Sequence, residues 1–176
     1  PRTVSSAASD VYKRQWGCSV VSIRPLSVSD YDDWLEVYRV YAEHYQSELT
    51  EEGVSTTWNW LMDNENPLTG IVADFDGKLI GLAHFRALPN PLRAINVGFL
   101  HDLVVIPQER GSDTAQLLID AIKSIGKREK WTKIRWNTRD DNYRARAFYD
   151  KVATKTNWTV YCLLYTSPSP RDSLES

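Results

Sequence analysis

The stretch VVIPQERGSDTAQLL, Val104–Leu118, passes from an apolar, β-branched run through a polar turn into a helical pattern. Val104 and Val105 suit a strand, and Pro107, Gly111 and Ser112 punctuate a turn. From Thr114 to Ile125, the residues Ala115, Leu118, Ile119, Ile122 and Ile125 share one helical face. A helix that begins just after such a turn leaves its first N–H groups unpaired, and its dipole favours negative charge there. Gly111 permits close backbone approach, Arg110 adds positive charge, and Ser112 and Thr114 offer hydroxyls. The turn therefore suits a pyrophosphate. A glycine before a helix is also an ordinary structural turn, so the surroundings decide.

Outward from this stretch the pattern alternates. VVSIRPL reads as a first strand, and SVSDYDDWLEVYRVYAEHYQ as a helix with Tyr31, Trp34, Leu35, Tyr38, Tyr41 and Tyr45 at helical spacing. Ser29, three residues before Asp32, predicts a capping-box start. STTWNWLM predicts a second helix, closed by Pro67 and Gly70. IVADFDGKLIGLAHF predicts a hairpin, because Gly77 after Asp76 accepts positive φ between two alternating runs. NVGFLHDLVVI is mostly apolar, as a central strand would be. After the Thr114–Ile125 helix, WTKIRWNT predicts a strand, DNYRARAFYDKV a helix and NWTVY a last strand. The order β-α-α-β-β-β-α-β-α-β, without repeat or linker, predicts one α/β domain with a mixed central sheet and flanking helices.

At 176 residues and 42% hydrophobic content, the chain has enough length for one real core. No apolar run is long enough to span a bilayer, so a soluble, cytoplasmic protein with no membrane partner is expected. The net charge of −2 argues against a nucleic-acid partner. Cys18 and Cys162 support no disulfide framework and no metal site. The two ends read as foreign. DNA that encodes CLLYTS, Cys162–Ser167, encodes DVYKRQ, Asp10–Gln15, on its opposite strand one base out of register. Such a pair resembles translated sequencing adapters. Residues 1–15 and 162–176 are therefore expected to be non-native tails around a 16–161 domain.

Four features occur together: the strand end Leu103-Val104-Val105, the turn Pro107-Gln108-Glu109-Arg110-Gly111, the amphipathic helix, and Asn142-x-x-Ala145-x-x-Phe148-Tyr149 further on. This constellation resembles the GNAT (Gcn5-related N-acetyltransferase) family over roughly Ser22–Tyr161. The match is nearest its small polyamine, histone and amino-acid branches. The family's Gln/Arg-x-x-Gly-x-Gly/Ala motif matches at Gln108 and Gly111 and departs at Asp113.

The resemblance implies the GNAT fold, acetyl-CoA as co-substrate and a homodimer. It also implies acetyl transfer to a primary amine, with a small cationic amine or an amino acid as acceptor. The donor would be held by Leu103, Val104, Val105, Gln108, Arg110, Gly111, Ser112, Asp113, Thr114, Ala115 and Asn142. Asp113 sets a carboxylate beside the pyrophosphate, which predicts weakened but retained binding. The resemblance also makes Tyr149 the acid for the leaving thiolate, although Phe148, Tyr149 and Val152 equally share a core-like helical face.

An alkyl amine with an ordinary pKa of about 10.4 must lose a proton before it attacks. Asp102 and His101 are the candidate bases. As neighbours in a strand they face opposite ways unless a bulge intervenes. In related polyamine acetyltransferases an acidic pair occupies these positions. In the fold that the resemblance implies, residues 29–52, with eight acidic residues against Arg39 alone, form one wall of the acceptor site, beside which Tyr41, Tyr45 and His84 are candidate acceptor contacts. For most of these charges a solvated helix face is the better reading, and for His84 a structural or exposed role. Nine basic residues against three acidic in 123–146 would favour the phosphorylated end of coenzyme A. A non-catalytic acyl-CoA-binding module, a protein-lysine acetyltransferase and an aromatic-faced interaction domain remain alternatives.

Overall fold

The computed structural model describes residues 20–163. The expected foreign tails fall outside the described residues, apart from Cys162 and Leu163. The chain divides into two compact units, Pro1–Trp136 and Asn137–Ser176.

The first unit is built on a five-stranded sheet in the order β1-β2-β3-β4-β5. Its strands are β1 (Ser22–Pro25), β2 (Thr69–Phe75), β3 (Lys78–Asn90), β4 (Ile95–Val105) and β5 (Ile134–Arg135). The first four pair antiparallel, while β4 and β5 run parallel. Its helices are α1 (Tyr31–Tyr45), α2 (Glu51–Met62) and α3 (Thr114–Arg128). The Asp76-Gly77 hairpin forms as expected, with φ of 53° and 85°. The apolar run expected at the centre of the sheet forms β4, but the middle strand is β3, and β4 is flanked by β5 only at Gly98 and Phe99. Trp34, Val37, Val54, Val72, Leu82 and Val104 pack into one core cluster. A methyl group placed on Gly81 would meet Thr114 and Leu118 of α3, whereas its neighbour Leu82 joins the cluster with Trp34 of α1. Period-2 alternation along β3 thus sets helices on both faces of the sheet.

Three local expectations change. α2 starts at Glu51 rather than Ser55, because the Thr50 hydroxyl accepts the Gly53 N–H at 3.1 Å and two glutamates fill the first turn. The capping contact before α1 uses Ser27 and Asp30 rather than Ser29 and Asp32. The Asp30 carboxylate accepts from the Ser27 backbone N–H at 2.8 Å and from its hydroxyl at 3.0 Å. WTKIRWNT yields only the two-residue β5, and Trp131 turns back to lie against Gly98 and Gly126.

Asp30 is also gripped by Arg24 through two hydrogen bonds, at 2.7 and 2.9 Å, and is only 7% exposed. The guanidinium holds its carboxyl at about 2, down from 3.8. A depressed carboxylate stabilises the fold fully above its unfolded value and loses that contribution as pH falls through the folded one. Asp30→Asn is expected to cost about 2 kcal/mol at neutral pH. The deficit against the parent should close between about pH 4 and pH 2 in urea melts.

The second unit carries α4 (Tyr143–Val152). The Asn142 side chain caps it, accepting the Ala145 N–H at 3.3 Å. The expected last strand, Asn157–Tyr161, is not formed. Its residues are exposed and no neighbour among the described residues pairs their backbone groups, and without such pairing a strand does not persist.

Candidate active site

The pairing of β3 with β4 slips once. His84 lies opposite Asp102 and Phe85 opposite Leu100, which leaves His101 as an extra residue in β4. This is the bulge that consecutive use of His101 and Asp102 requires. A bulge re-aims side chains that a regular strand would send to opposite faces. The His101 ring packs on Phe99, two residues back, with centroids 4.8 Å apart. Partial burial, then the Arg86 charge, holds His101 below the usual imidazole value, although part of its ring still meets solvent.

Asp102 stands at the centre of a polar network inside an aromatic shell. Its Oδ2 lies 2.7 Å from His84 Nδ1, and His84 is 1% exposed. His84 Nε2 accepts the Trp34 indole N–H at 3.0 Å. The Tyr41 phenol lies near the Asp102 carboxylate and feels its charge. Burial, then the Asp102 charge, pushes the Tyr41 phenol far above its usual range, so it stays protonated. Tyr38 stacks on Trp34 at 5.0 Å and meets the His84 ring edge-on at 5.5 Å. Burial, then the Asp102 charge, raises the Tyr38 phenol too. An ionised carboxylate has about four acceptor positions. His84 takes one, so acceptor capacity remains on Asp102.

The half of β4 that carries Asp102 has one open edge. β5 pairs with it only at Gly98 and Phe99, so Leu100–Val105 have β3 on one side and no strand on the other among the described residues. Leu103, Val104 and Val105 lie there, opposite Ala83, Leu82 and Gly81. At the end of β4 a 3-10 turn, Pro107–Glu109, holds Gln108, and Arg110 follows exposed to solvent. Gly111 has φ +92°, a conformation that L side chains rarely adopt. The N–H groups of Gly111, Asp113, Ala115 and Gln116 donate no hydrogen bond among the described residues. They crowd the start of α3, where the helix dipole adds partial positive charge.

Ser112 and Thr114 are bonded to each other at 2.8 Å, and Ser112 also donates to the Glu109 carbonyl. Their hydroxyls therefore shape the turn. Asp113 has φ −77° and is exposed. Its position does not call for a left-handed backbone, so its departure from the motif is a matter of charge and side-chain bulk.

The structure thus brings together Asp102, His84 and Tyr41, sets His101 beside them at the bulge, and gathers Gln108–Ala115 into one continuous turn. Tyr45 reaches the group only through Tyr41, edge-on at 4.9 Å. In the second unit, Asn142 and Tyr149 lie two turns apart along one face of α4 and its cap. The acidic wall is weaker than its count implied. Asp30 is consumed by Arg24, and Asp32, Glu36, Glu43, Glu48, Glu51 and Glu52 are exposed. Two residues escaped the sequence reading. Trp34 looks like core by spacing, and its hydrogen bond spans fifty positions of chain. Arg86, two residues after His84 on the same strand, has a buried Nε with no partner among the described residues.

Residues 34–153 match the model of the acetyltransferase (GNAT) family. The chain is 26% identical over 144 residues to the D-amino-acid N-acetyltransferase HPA3 of Saccharomyces cerevisiae, covering 80% of this chain and 89% of that one. It is 30% identical over 131 residues to an uncharacterized N-acetyltransferase of Archaeoglobus fulgidus, covering 69% and 86%. The crystal structure of a ribosomal-protein-alanine N-acetyltransferase from Brucella melitensis superposes with a TM-score of 0.71 at 23% identity, over 83% of this chain and 99% of that one.

Proposed function

The chain belongs to the GNAT family of acetyl-CoA-dependent N-acetyltransferases, and we propose that it acetylates the primary amine of a small amino acid by direct attack in a ternary complex. One observation carries the reading: a carboxylate held by a buried histidine, Asp102, stands at a bulge in the half-strand whose outer edge is open. Acetyl-CoA supplies the activated acyl group. The free N–H groups at Gly111, Asp113, Ala115 and Gln116, with Arg110, suit its diphosphate, and the open β4 edge suits an extended amide-bearing arm. On the acceptor side, Asp102 receives the amine, with His101 adjacent as a neutral imidazole. Tyr149 is the acid for the departing thiolate.

Acetyl-CoA turnover with spermidine, D- and L-amino acids and lysine peptides tests this reading. Amino-acid turnover is expected to lead. Stabilisation by coenzyme A without turnover on any amine would select a non-catalytic binding module instead.

Between a cationic amine and an amino acid, Arg86 favours the second. A buried guanidinium nitrogen without a partner suits a carboxylate. It repels a polyamine, and it already acts on the neighbouring His101. The yeast relative is named for D-amino acids. Arg86→Leu is expected to raise KM for an amino acid about ten- to a hundredfold, the worth of a hydrogen bond between charged groups. KM for the corresponding amino-acid amide should stay within about twofold. Equal effects on acid and amide would remove Arg86 from recognition.

The Asp113 carboxylate is exposed beside the diphosphate turn, and charge near a helix start contributes modestly. Asp113→Gly should therefore tighten coenzyme A by about three- to fivefold in calorimetry. An unchanged Kd would mean that this side chain points away from the ligand.

A further inference from the structure

Asp102 is held by a histidine whose own proton is placed by a tryptophan. An indole nitrogen only donates. With Trp34 Nε1 3.0 Å from His84 Nε2, that ring nitrogen must present its lone pair. The ring proton therefore sits on Nδ1, 2.7 Å from Asp102 Oδ2, and points at the carboxylate. The opposite tautomer would set two donors against each other at Nε2 and two acceptors at Nδ1. His84 is 1% and Trp34 0% exposed, so water cannot relieve either clash.

We propose that His84 is the positioning residue of the acetyl-transfer site, and that Trp34 serves it by locking the Nδ1–H tautomer. The pair fixes the rotation of the Asp102 carboxylate so that its remaining acceptor positions face the incoming amine. Tyr41 of α1 lies on the Asp102 side of the network and stays protonated there. Sequence position conceals the arrangement, since Trp34 lies in α1, His84 in β3 and Asp102 in β4. Only the register that sets His84 opposite Asp102 brings them together. The proposal rests on Asp102 acting on the acceptor amine, as proposed above.

Two substitutions separate the two hydrogen bonds of the ring. His84→Asn places an amide N–H near the position of Nδ1 and is too short to reach Trp34. His84→Gln reaches the position of Nε2, where its oxygen accepts from Trp34, but lacks a donor aimed at Asp102. If His84 positions Asp102, His84→Asn keeps kcat within about threefold, while His84→Gln loses about ten- to a hundredfold, the worth of one hydrogen bond to a charged group. KM for acetyl-CoA should hold in both. A purely structural histidine predicts parallel losses, and that result overturns the proposal.

A readout independent of turnover accompanies these variants. The chain has three histidines, so comparison with His84→Asn assigns the His84 signals in 15N-labelled protein. The expected spectrum has a protonated Nδ1 and a bare Nε2. Trp34→Phe should mix the two tautomers and lower kcat with unchanged acetyl-CoA KM. A protonated Nε2 in the parent protein, or Trp34→Phe with full kcat, also overturns it. Absence of turnover in the parent on every amine would instead overturn the acetyl-transfer reading and leave the tautomer result standing.

Discussion

Asp102→Asn will lower kcat/KM at neutral pH by about a hundred- to ten-thousandfold, the range for loss of a positioned base. The size follows from the acceptor. The amine of a free amino acid, with a pKa of about 9.6 between the α-amino and alkyl-amine values, is neutral in roughly one molecule in 400 at pH 7. A group that takes its proton in place therefore controls up to about three powers of ten. Asparagine is nearly isosteric with aspartate. Its carbonyl can still accept from His84 Nδ1, so the buried histidine keeps its partner. The loss is thus expected without a change in the melting transition.

Solvent supplies the missing deprotonation as pH rises, so the deficit should narrow toward about pH 10. A deficit that stays constant with pH would mean that Asp102 binds or shapes the site and does not handle the proton. His101→Asn is the comparison. His101 is an unpaired bulge residue with part of its ring in solvent, and a smaller loss is expected there.

What could be read from the sequence was what depends on short-range pattern. The Asp76-Gly77 turn, the apolar run of β4 and the face of α3 each carry their signal within one element, and each formed as expected. The turn at Gln108–Ala115 was legible for the same reason, since strand, glycine and helix start are contiguous. Pairing across the sheet was not legible. Whether His101 and Asp102 could act side by side depended on a bulge that only the β3–β4 register reveals. His84, a candidate acceptor contact better read as structural, is enclosed, with both ring nitrogens engaged.

Composition said little about charge at the site. The acid-rich segment 29–52 suggested a field for cations, yet Asp30 belongs to the Arg24 clamp and most of the rest face water, where their fields are screened. Among the described residues, the one charged side chain with an unsatisfied buried nitrogen is Arg86, which carries the opposite sign and lies within a strand. A partnerless donor is a property of three-dimensional surroundings, and no residue count contains it.

Tyr149→Phe will lower kcat by about ten- to a hundredfold, less than the loss at Asp102, and the reason lies in the leaving group. A thiol with a pKa near 8.5 departs as a thiolate that is only modestly unstable at neutral pH, so its protonation helps without being obligatory. The amine has to shed its proton before attack, whereas the sulfur can leave first and be protonated later. The two variants should also respond differently to pH. The Tyr149→Phe deficit should shrink once pH passes about 8.5, where thiolate is the stable form, while that of Asp102→Asn persists until about pH 10.

Tyr149 lies midway along α4, half-buried and close to Phe148 at 5.7 Å, and phenylalanine keeps the ring contact. The Asn142 cap, which starts the helix and sets its face, is untouched. Full turnover in Tyr149→Phe at pH 7 would assign the residue to packing. A deficit that persists above pH 9 would mean that the hydroxyl orients the donor and does not protonate it.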